Sequence, residues 1–179
     1  MSCETVILLD QANKPIGEMD KLAVHHHQTP LHLAFSCYIL NEQGKLLVTR
    51  RALTKQAWPG VWTNSVCGHP AQGEVIEDAV YRRADFELGM QISHPRLRVD
   101  EFSYYATDAS GVVENEFCPI FSAVSLSEIV PNPEEVMDYQ WVSPEKLNRS
   151  VDDIPWAFSP WMVEQIKALR ECGVWPLNV

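Results

Sequence analysis

Gly68-His69-Pro70-Ala71-Gln72-Gly73-Glu74-Val75-Ile76-Glu77-Asp78-Ala79-Val80-Tyr81-Arg82-Arg83-Ala84-Asp85-Phe86-Glu87-Leu88-Gly89-Met90 changes conformation twice in 23 residues. Residues 66–69 read as extended, which puts Cys67 and His69 on one face, because side chains alternate along a strand. Gly73 then breaks the chain ahead of a helix over 75–88, and Gly89 supplies a C-terminal stop. Upstream, residues 4–9, 31–40 and 45–51 read as strands, with a turn at Asn13-Lys14-Pro15 and a hairpin loop at Asn41-Glu42-Gln43-Gly44. Trp58-Pro59-Gly60-Val61-Trp62 reads as a loop. Downstream, 97–107 and 112–124 read as two strands joined at Asp108-Ala109-Ser110-Gly111, and 138–142 as a short one. Ser143-Pro144-Glu145 opens a short helix, and 160–171 is the last helix. Strands, one helix, strands and then helices predict an α/β (α+β) fold with a central mixed sheet between helices.

The chain has 179 residues, which predicts one domain over 1–179. A chain of this size buries roughly 70% of its unfolded surface, so it needs no disulfide or metal staple. Hydrophobic residues make up 46% and charged residues 21%, which excludes disorder. The net charge of −10 sets nucleic acid aside as a partner, since binders of phosphate backbones carry a basic excess. A local cluster of Lys and Arg can still hold a small anion inside an acidic surface. No apolar run is long enough for a membrane span, and Val6-Ile7-Leu8-Leu9 is too short for a signal-peptide core. Five cysteines, at 3, 37, 67, 118 and 172, form no framework, which points to a reducing, cytoplasmic compartment. Cys37 and Cys118 read as core.

Period two also puts Glu114 and Glu116 on one strand face. Five of the six histidines fall at 25, 26, 27, 32 and 69. Three imidazoles and two carboxylates, if they converge, make a mixed N and O site for a six-coordinate divalent ion, Mn²⁺ or Mg²⁺, with Zn²⁺ as an alternative. The competing reading is a solvated strand face with surface histidines. Spacing alone does not decide between them.

The quoted segment resembles a Nudix box, in which Gly68, Glu74, Arg82, Glu87, Gly89 and Met90 match. Two positions that are acidic in Nudix hydrolases are Arg83 and Phe86 here, and neither side chain ligates a cation. Trp58-Pro59-Gly60-Val61-Trp62-Thr63-Asn64-Ser65-Val66-Cys67-Gly68-His69-Pro70 and Glu114-Asn115-Glu116 are similar to motifs of the type 1 isopentenyl-diphosphate isomerases, a Nudix-fold branch that does not hydrolyse. The resemblance covers about residues 4 to 165, is strongest to the short bacterial form, and implies a Nudix-like α/β/α sandwich.

The resemblance also implies roles. Cys67 and Glu116 would be catalytic, with Tyr104 as a proton relay. His25, His32, His69, Glu114 and Glu116 would hold the divalent ion, with His25 favoured within the triple His25-His26-His27. Glu87 and the Cys67 main-chain oxygen would meet Mg²⁺ at the substrate diphosphate. Lys21, Arg51, Lys55 and Arg83 would clamp the diphosphate, and Trp161 would offer a π face to a cation. A cation beside Cys67 would lower its thiol pKa, and Trp58, Trp62 and Phe35 would help exclude water. The bland readings are an i,i+4 ion pair for Arg83 and Glu87, worth about 0.3–0.5 kcal/mol, and surface solubility for the lysines. The implied partner is an isoprenoid diphosphate, with the protein a monomer or homodimer.

Two rivals remain at this stage, a Nudix diphosphohydrolase and a non-catalytic metal-binding module. Incubation with nucleoside or sugar diphosphates and Mg²⁺ is expected to release no phosphate, because positions 83 and 86 lack carboxylates. Substantial turnover in a phosphate-release assay would select the hydrolase.

Overall fold

The computed structural model describes residues 4–178, so Cys3 lies outside the described residues. In chain order the elements are β1 (Thr5–Leu9), β2 (Pro15–Asp20), α1 (Lys21–Val24), β3 (His32–Leu33), β4 (Phe35–Leu40), β5 (Leu46–Arg51), β6 (Trp62–Thr63), β7 (Val66–Gly68), α2 (Ile76–Leu88), β8 (Arg96–Val99), β9 (Ser103–Thr107), β10 (Val113–Phe117), β11 (Ile120–Val124), β12 (Val136–Val142), α3 (Pro144–Asp153) and α4 (Pro160–Glu171). Among the described residues no helix is long and apolar enough to cross a membrane.

The larger sheet has the order β12-β5-β4-β11-β8, with β6 on β5 and β7 on β4. It is mixed: β11 runs parallel to β4 and antiparallel to β8. All six residues of β4 are buried, as expected of a strand covered on both faces. On one face Tyr38, Leu40, Leu46 and Val48 pack against Leu147 and Val151 of α3 and Met162 and Ile166 of α4. On the other, Phe35, Cys37, Ile39 and Leu47 pack against Ala79, Val80, Ala84 and Leu88 of α2. The result is the expected mixed sheet between helices, an α/β/α sandwich.

The expected strands at 31–40, 97–107 and 112–124 each divide in two, and the halves enter different sheets. A smaller sheet, β2-β1-β3-β10-β9, takes one half of each. The breaks fall side by side: Ala34 N–H donates to Phe117 O at 2.9 Å, Ser36 N–H to Pro119 O at 3.1 Å, and Cys118 N–H to Phe102 O at 2.7 Å. Pro119 has no N–H to give a ladder, so the bend sits where one is not needed. Three adjacent chains turn together, which period-two reading of one chain cannot reveal. The sheet junction carries the site. His32 lies opposite Glu116, Tyr104 opposite Glu116, and Cys67 opposite Ser36.

Strand β2 had no signal beyond the turn before it. It is an edge strand, mostly exposed, with Pro15 first and Gly17 inside. The helix ends follow the sequence reading more closely. Ser143 and Ser159 cap α3 and α4 by accepting from Lys146 N–H and Met162 N–H, and each is followed by a proline. Gly89 ends α2 with φ of 56°, and its N–H reaches Ala84 O and Asp85 O.

A Cβ on Gly89 would stand 2.6 Å from the carbonyl oxygen of Val130. The left-handed backbone and this backbone contact together predict that Gly89→Ala lowers stability by about 2 kcal/mol or more, read as a shift of the urea midpoint.

Candidate active site

His32 is fully buried on β3, and its Nδ1 lies 2.9 Å from Pro30 O. With the Nδ1–H donating there, the lone pair of Nε2 faces Glu116 Oε1 at 3.4 Å. His25 follows α1. Its Nδ1 is 3.4 Å from Lys21 O, and its Nε2 is 3.0 Å from Glu114 Oε2. His69 follows β7 and places Nε2 3.0 Å from Glu116 Oε1. The three rings sit 5.0 to 5.7 Å apart, centroid to centroid. One ligand atom from each of His25, His32, His69 and Glu116 lies within 4.8 Å of the others.

His25 Nε2, His32 Nε2, His69 Nδ1 and Glu114 Oε2 are all buried without a hydrogen-bond partner. An imidazole lone pair facing a carboxylate is repulsive unless a positive charge stands between them. These residues therefore fit a divalent cation, with carbonyls behind two of the rings fixing their tautomers. Glu114 joins through its contact with His25 and is not part of the tight group of four. The histidine triple resolves toward position 25. His27 Nδ1 is 2.8 Å from Gly111 O, His26 Nδ1 accepts from Gln28 N–H at 3.1 Å, and both residues are exposed.

Tyr104 Oη donates to Glu116 Oε2 at 2.8 Å, so the carboxylate is held from both sides. Burial acts to raise the Glu116 pKa, but the imidazoles of His32 and His69 beside it hold it well below the usual carboxylate range. Burial acts to lower the His32 pKa, and the Glu116 carboxylate beside it reverses this, so His32 ends above its ordinary value. Burial drives His69 down to about 3 despite Glu116. Tyr104 is pushed well up, first by burial and then by the charges of Glu116 and Glu114.

Cys67 is half-buried, with Sγ 3.2 Å from both Ser36 Oγ and Asn64 Oδ1. The expected low thiol pKa does not hold for the protein's own groups. Burial pushes it up to about 12, opposed by the Ser36 and Asn64 hydrogen bonds and reinforced by the charges of Glu116 and Glu87. Burial thus favours the neutral form of the Cys67 thiol, whereas the imidazoles favour the ionised form of Glu116. Cys37, Cys118 and Cys172 are also free, the first two buried as expected.

Cys67, Tyr104, Glu116 and Trp161 line one cavity of about 920 Å³ with Lys21, Arg51, Lys55, Arg83 and Glu87. Each cation already has a partner. Lys21 Nζ is 2.5 Å from Glu4, Lys55 pairs with Glu135, and Arg83 pairs with Glu87, with Glu135 at 3.4 Å. Arg51 donates to Ala57 O and Trp58 O, and its guanidinium stands over the Trp161 ring at 5.6 Å. The π face of Trp161 thus already carries a protein cation. Phe35, Trp58 and Trp62 do not line the cavity. Phe35 belongs to the α2-side core, whereas Trp58 packs edge-on against Trp161 at 5.4 Å.

The NUDIX domain family matches residues 30–162. Isopentenyl-diphosphate Delta-isomerase of Brevibacterium linens is 57% identical over 167 residues, covering 93% of this chain and 92% of its own length. The enzyme of the same name from Salmonella heidelberg is 57% identical over 165 residues, 92% of this chain and 91% of its own. The chain belongs to the isopentenyl-diphosphate Delta-isomerase family. The fold reaches further than the family. A Deinococcus radiodurans protein of known structure aligns over 94% of this chain and 99% of its own with TM-score 0.68 at 22% identity. A MutT protein from Methanosarcina mazei aligns over 79% and 94% with TM-score 0.64 at 18% identity.

In this isomerase-family chain the altered box positions form a contact of their own, with the Arg83 guanidinium over the Phe86 ring at 4.9 Å. Glu4, Ser36, Asn64 and Glu135 were not assigned roles from the sequence. Asn64 stood inside the quoted tryptophan-cysteine motif, whereas Glu4 and Glu135 had no motif to mark them.

The histidine geometry yields a binding prediction. His25→Ala is expected to weaken Mn²⁺ or Zn²⁺ affinity by about 10- to 100-fold in calorimetric titration, while His27→Ala leaves it nearly unchanged. Equal losses in the two variants would remove His25 from the site.

Proposed function

We propose that the protein interconverts isopentenyl diphosphate and dimethylallyl diphosphate, with Cys67 and the Glu116–Tyr104 pair as its two proton-handling groups. The observation that carries this reading is one cavity lined by a cysteine thiol, a carboxylate bonded to a phenol, and four cationic side chains. Moving the double bond requires a proton added at one end of a three-carbon unit and another removed at the opposite end. The intermediate is a tertiary carbocation that water would capture. The site must therefore be dry and offer charge without a free nucleophile.

The residues meet these needs. One of the two groups delivers a proton to the terminal alkene carbon, and the other removes one from the allylic carbon. Their roles exchange in the reverse direction, and no proton is gained or lost over a round trip. The raised thiol pKa favours the protonated form, so from this state Cys67 is the acid and Glu116 the base. One turnover leaves a thiolate and a carboxylic acid, and a proton returned from Glu116 to Cys67 restores the start. Tyr104 holds the Glu116 carboxylate in place and can pass a proton to it. Trp161, buried and facing the cavity, adds a π surface to the hydrocarbon end.

Lys21, Arg51, Lys55 and Arg83 anchor the diphosphate, which takes no part in the proton chemistry. Glu87 and the main-chain oxygen of Cys67 suit Mg²⁺ brought with the diphosphate. Mn²⁺, with Mg²⁺ or Zn²⁺ as alternatives, suits His25, His32, His69, Glu114 and Glu116, where it supplies positive charge that fixes Glu116. We place this activity in a single cytoplasmic domain, free of nucleic acid and membrane partners, acting as a monomer or homodimer.

Deuterium incorporation into isopentenyl diphosphate in D₂O is expected for the intact protein and lost in Cys67→Ala, which keeps substrate and metal binding. Glu116→Gln is expected to lose activity and metal affinity together. Full activity in Cys67→Ala, or unchanged metal content in Glu116→Gln, would refute the assignment.

A further inference from the structure

The sulfur of Cys67 is held by two fully buried residues that the reading above does not use, Asn64 and Ser36. The Asn64 amide has one possible orientation. Its Nδ2 donates to Val66 O at 3.1 Å and Cys37 O at 3.4 Å, so Oδ1 is turned the other way. There it accepts from Cys67 Sγ at 3.2 Å, Trp161 Nε1 at 3.2 Å and Thr63 Oγ1 at 3.0 Å. The indole N–H can only donate, which confirms that oxygen and not nitrogen faces it. One oxygen therefore aims both the thiol and the tryptophan that line the cavity.

Ser36 is fixed from the opposite side. Gln165 Nε2 donates to Ser36 Oγ at 2.8 Å, and Gln165 Oε1 accepts from Tyr38 Oη at 2.9 Å. The single hydroxyl hydrogen of Ser36 is then free for a sulfur, Cys67 at 3.2 Å or Cys118 at 3.4 Å. Gln165 and Trp161 lie one turn apart on α4, so one helix supplies both arms. The two contacts on Cys67 are complementary. Asn64 Oδ1 takes the S–H, and Ser36 gives its own hydrogen to a sulfur lone pair. The sulfur is thereby fixed in place, and the S–H reaches a carbon in the cavity by turning about the Cβ–Sγ bond away from Asn64.

We propose that Asn64 and Ser36 are positioning residues for proton transfer at Cys67. The proposal rests on the isomerase reading of the site. It differs from simple satisfaction of buried polar groups in its kinetic consequence. The diphosphate clamp touches neither residue, so binding should survive while the chemical step suffers.

The test is steady-state isomerisation by Asn64→Ala, Ser36→Ala and Ser122→Ala, with melting curves for each. For Asn64→Ala, kcat is expected to fall on the order of 10- to 100-fold with KM changed less than about threefold, the signature of lost alignment. Ser36→Ala, which removes one oxygen and keeps the fold, should show the same split with a smaller fall. Ser122→Ala removes a buried hydroxyl outside this network, one that accepts from Arg98 Nε at 2.6 Å, and should melt lower with kcat unchanged. In ¹⁵N-labelled protein the Trp161 indole resonance should shift in Asn64→Ala and stay in Ser36→Ala. Wild-type kcat in both Ser36→Ala and folded Asn64→Ala overturns the proposal and leaves the isomerase reading standing. An equal kcat loss in Ser122→Ala also overturns it, since packing would then explain the effect. Should Asn64→Ala not fold, Ser36→Ala against Ser122→Ala decides. An inactive wild type would instead count against the isomerase reading, and the indole shift would still report the Asn64 bond.

Discussion

Glu116 is a nearly fully buried carboxylate whose two oxygens face different partners: Oε1 toward His32 and His69, Oε2 toward the Tyr104 phenol. Taking such a charge out of water costs several kcal/mol unless compensating charge and hydrogen bonds are built around it. The three partners come from three separate chain segments, and only the joint bend of β3, β10 and β9 out of the larger sheet brings them to one point. The architecture at the sheet junction is thus tied to one electrostatic requirement. Where imidazole lone pairs face carboxylates, a cation is the missing term.

The thiol obeys the opposite logic. Cys67 has hydrogen-bonding neighbours, and the charges that act on its thiol, Glu116 and Glu87, are anions. Burial and like charge leave it protonated while the nearby carboxylate stays ionised. Two titratable groups whose environments push them apart are what acid–base chemistry across a small substrate requires. The cationic clamp adds a further feature. Glu4 and Glu135 pair with Lys21, Lys55 and Arg83, which reduces the repulsion among these cations. Like charge is already felt there: burial and then Arg83 lower the pKa of Lys21.

Much of this was legible in one dimension. Helix α2 and its glycine stop followed from the local chain, because a left-handed residue after an amphipathic run leaves a plain mark. The pairing of Cys67 with His69 and of Glu114 with Glu116 followed from strand period. The family motif then brought distant residues together. Properties that depend on neighbours from other segments were not legible. The bend that divides 31–40 is set by hydrogen bonds to residues 117 and 119. The thiol pKa is set by what surrounds the sulfur, which the place of Cys67 in its motif does not specify. Asn64 and Ser36 carry ordinary side chains, and their meaning lies in what they bond across the core.

The two departures from the hydrolase box, Arg83 and Phe86, are best understood together. A diphosphohydrolase uses carboxylates on this helix to gather metal ions that activate water against phosphorus. Here a buried guanidinium takes one of those positions and an aromatic ring packs against it from the other. Arg83 is in turn held by Glu87, Glu135 and Glu4, so it faces the cavity as a fixed charge within a balanced cluster. On the proposed function, a fixed cation at position 83 would grip a diphosphate without activating water, and Glu87 would be left as one carboxylate for a Mg²⁺ ion. The phosphate end of the site would then serve as an anchor and not as a reaction centre. That leaves the chemistry to the sheet junction, where Cys67, Tyr104 and Glu116 line the same cavity.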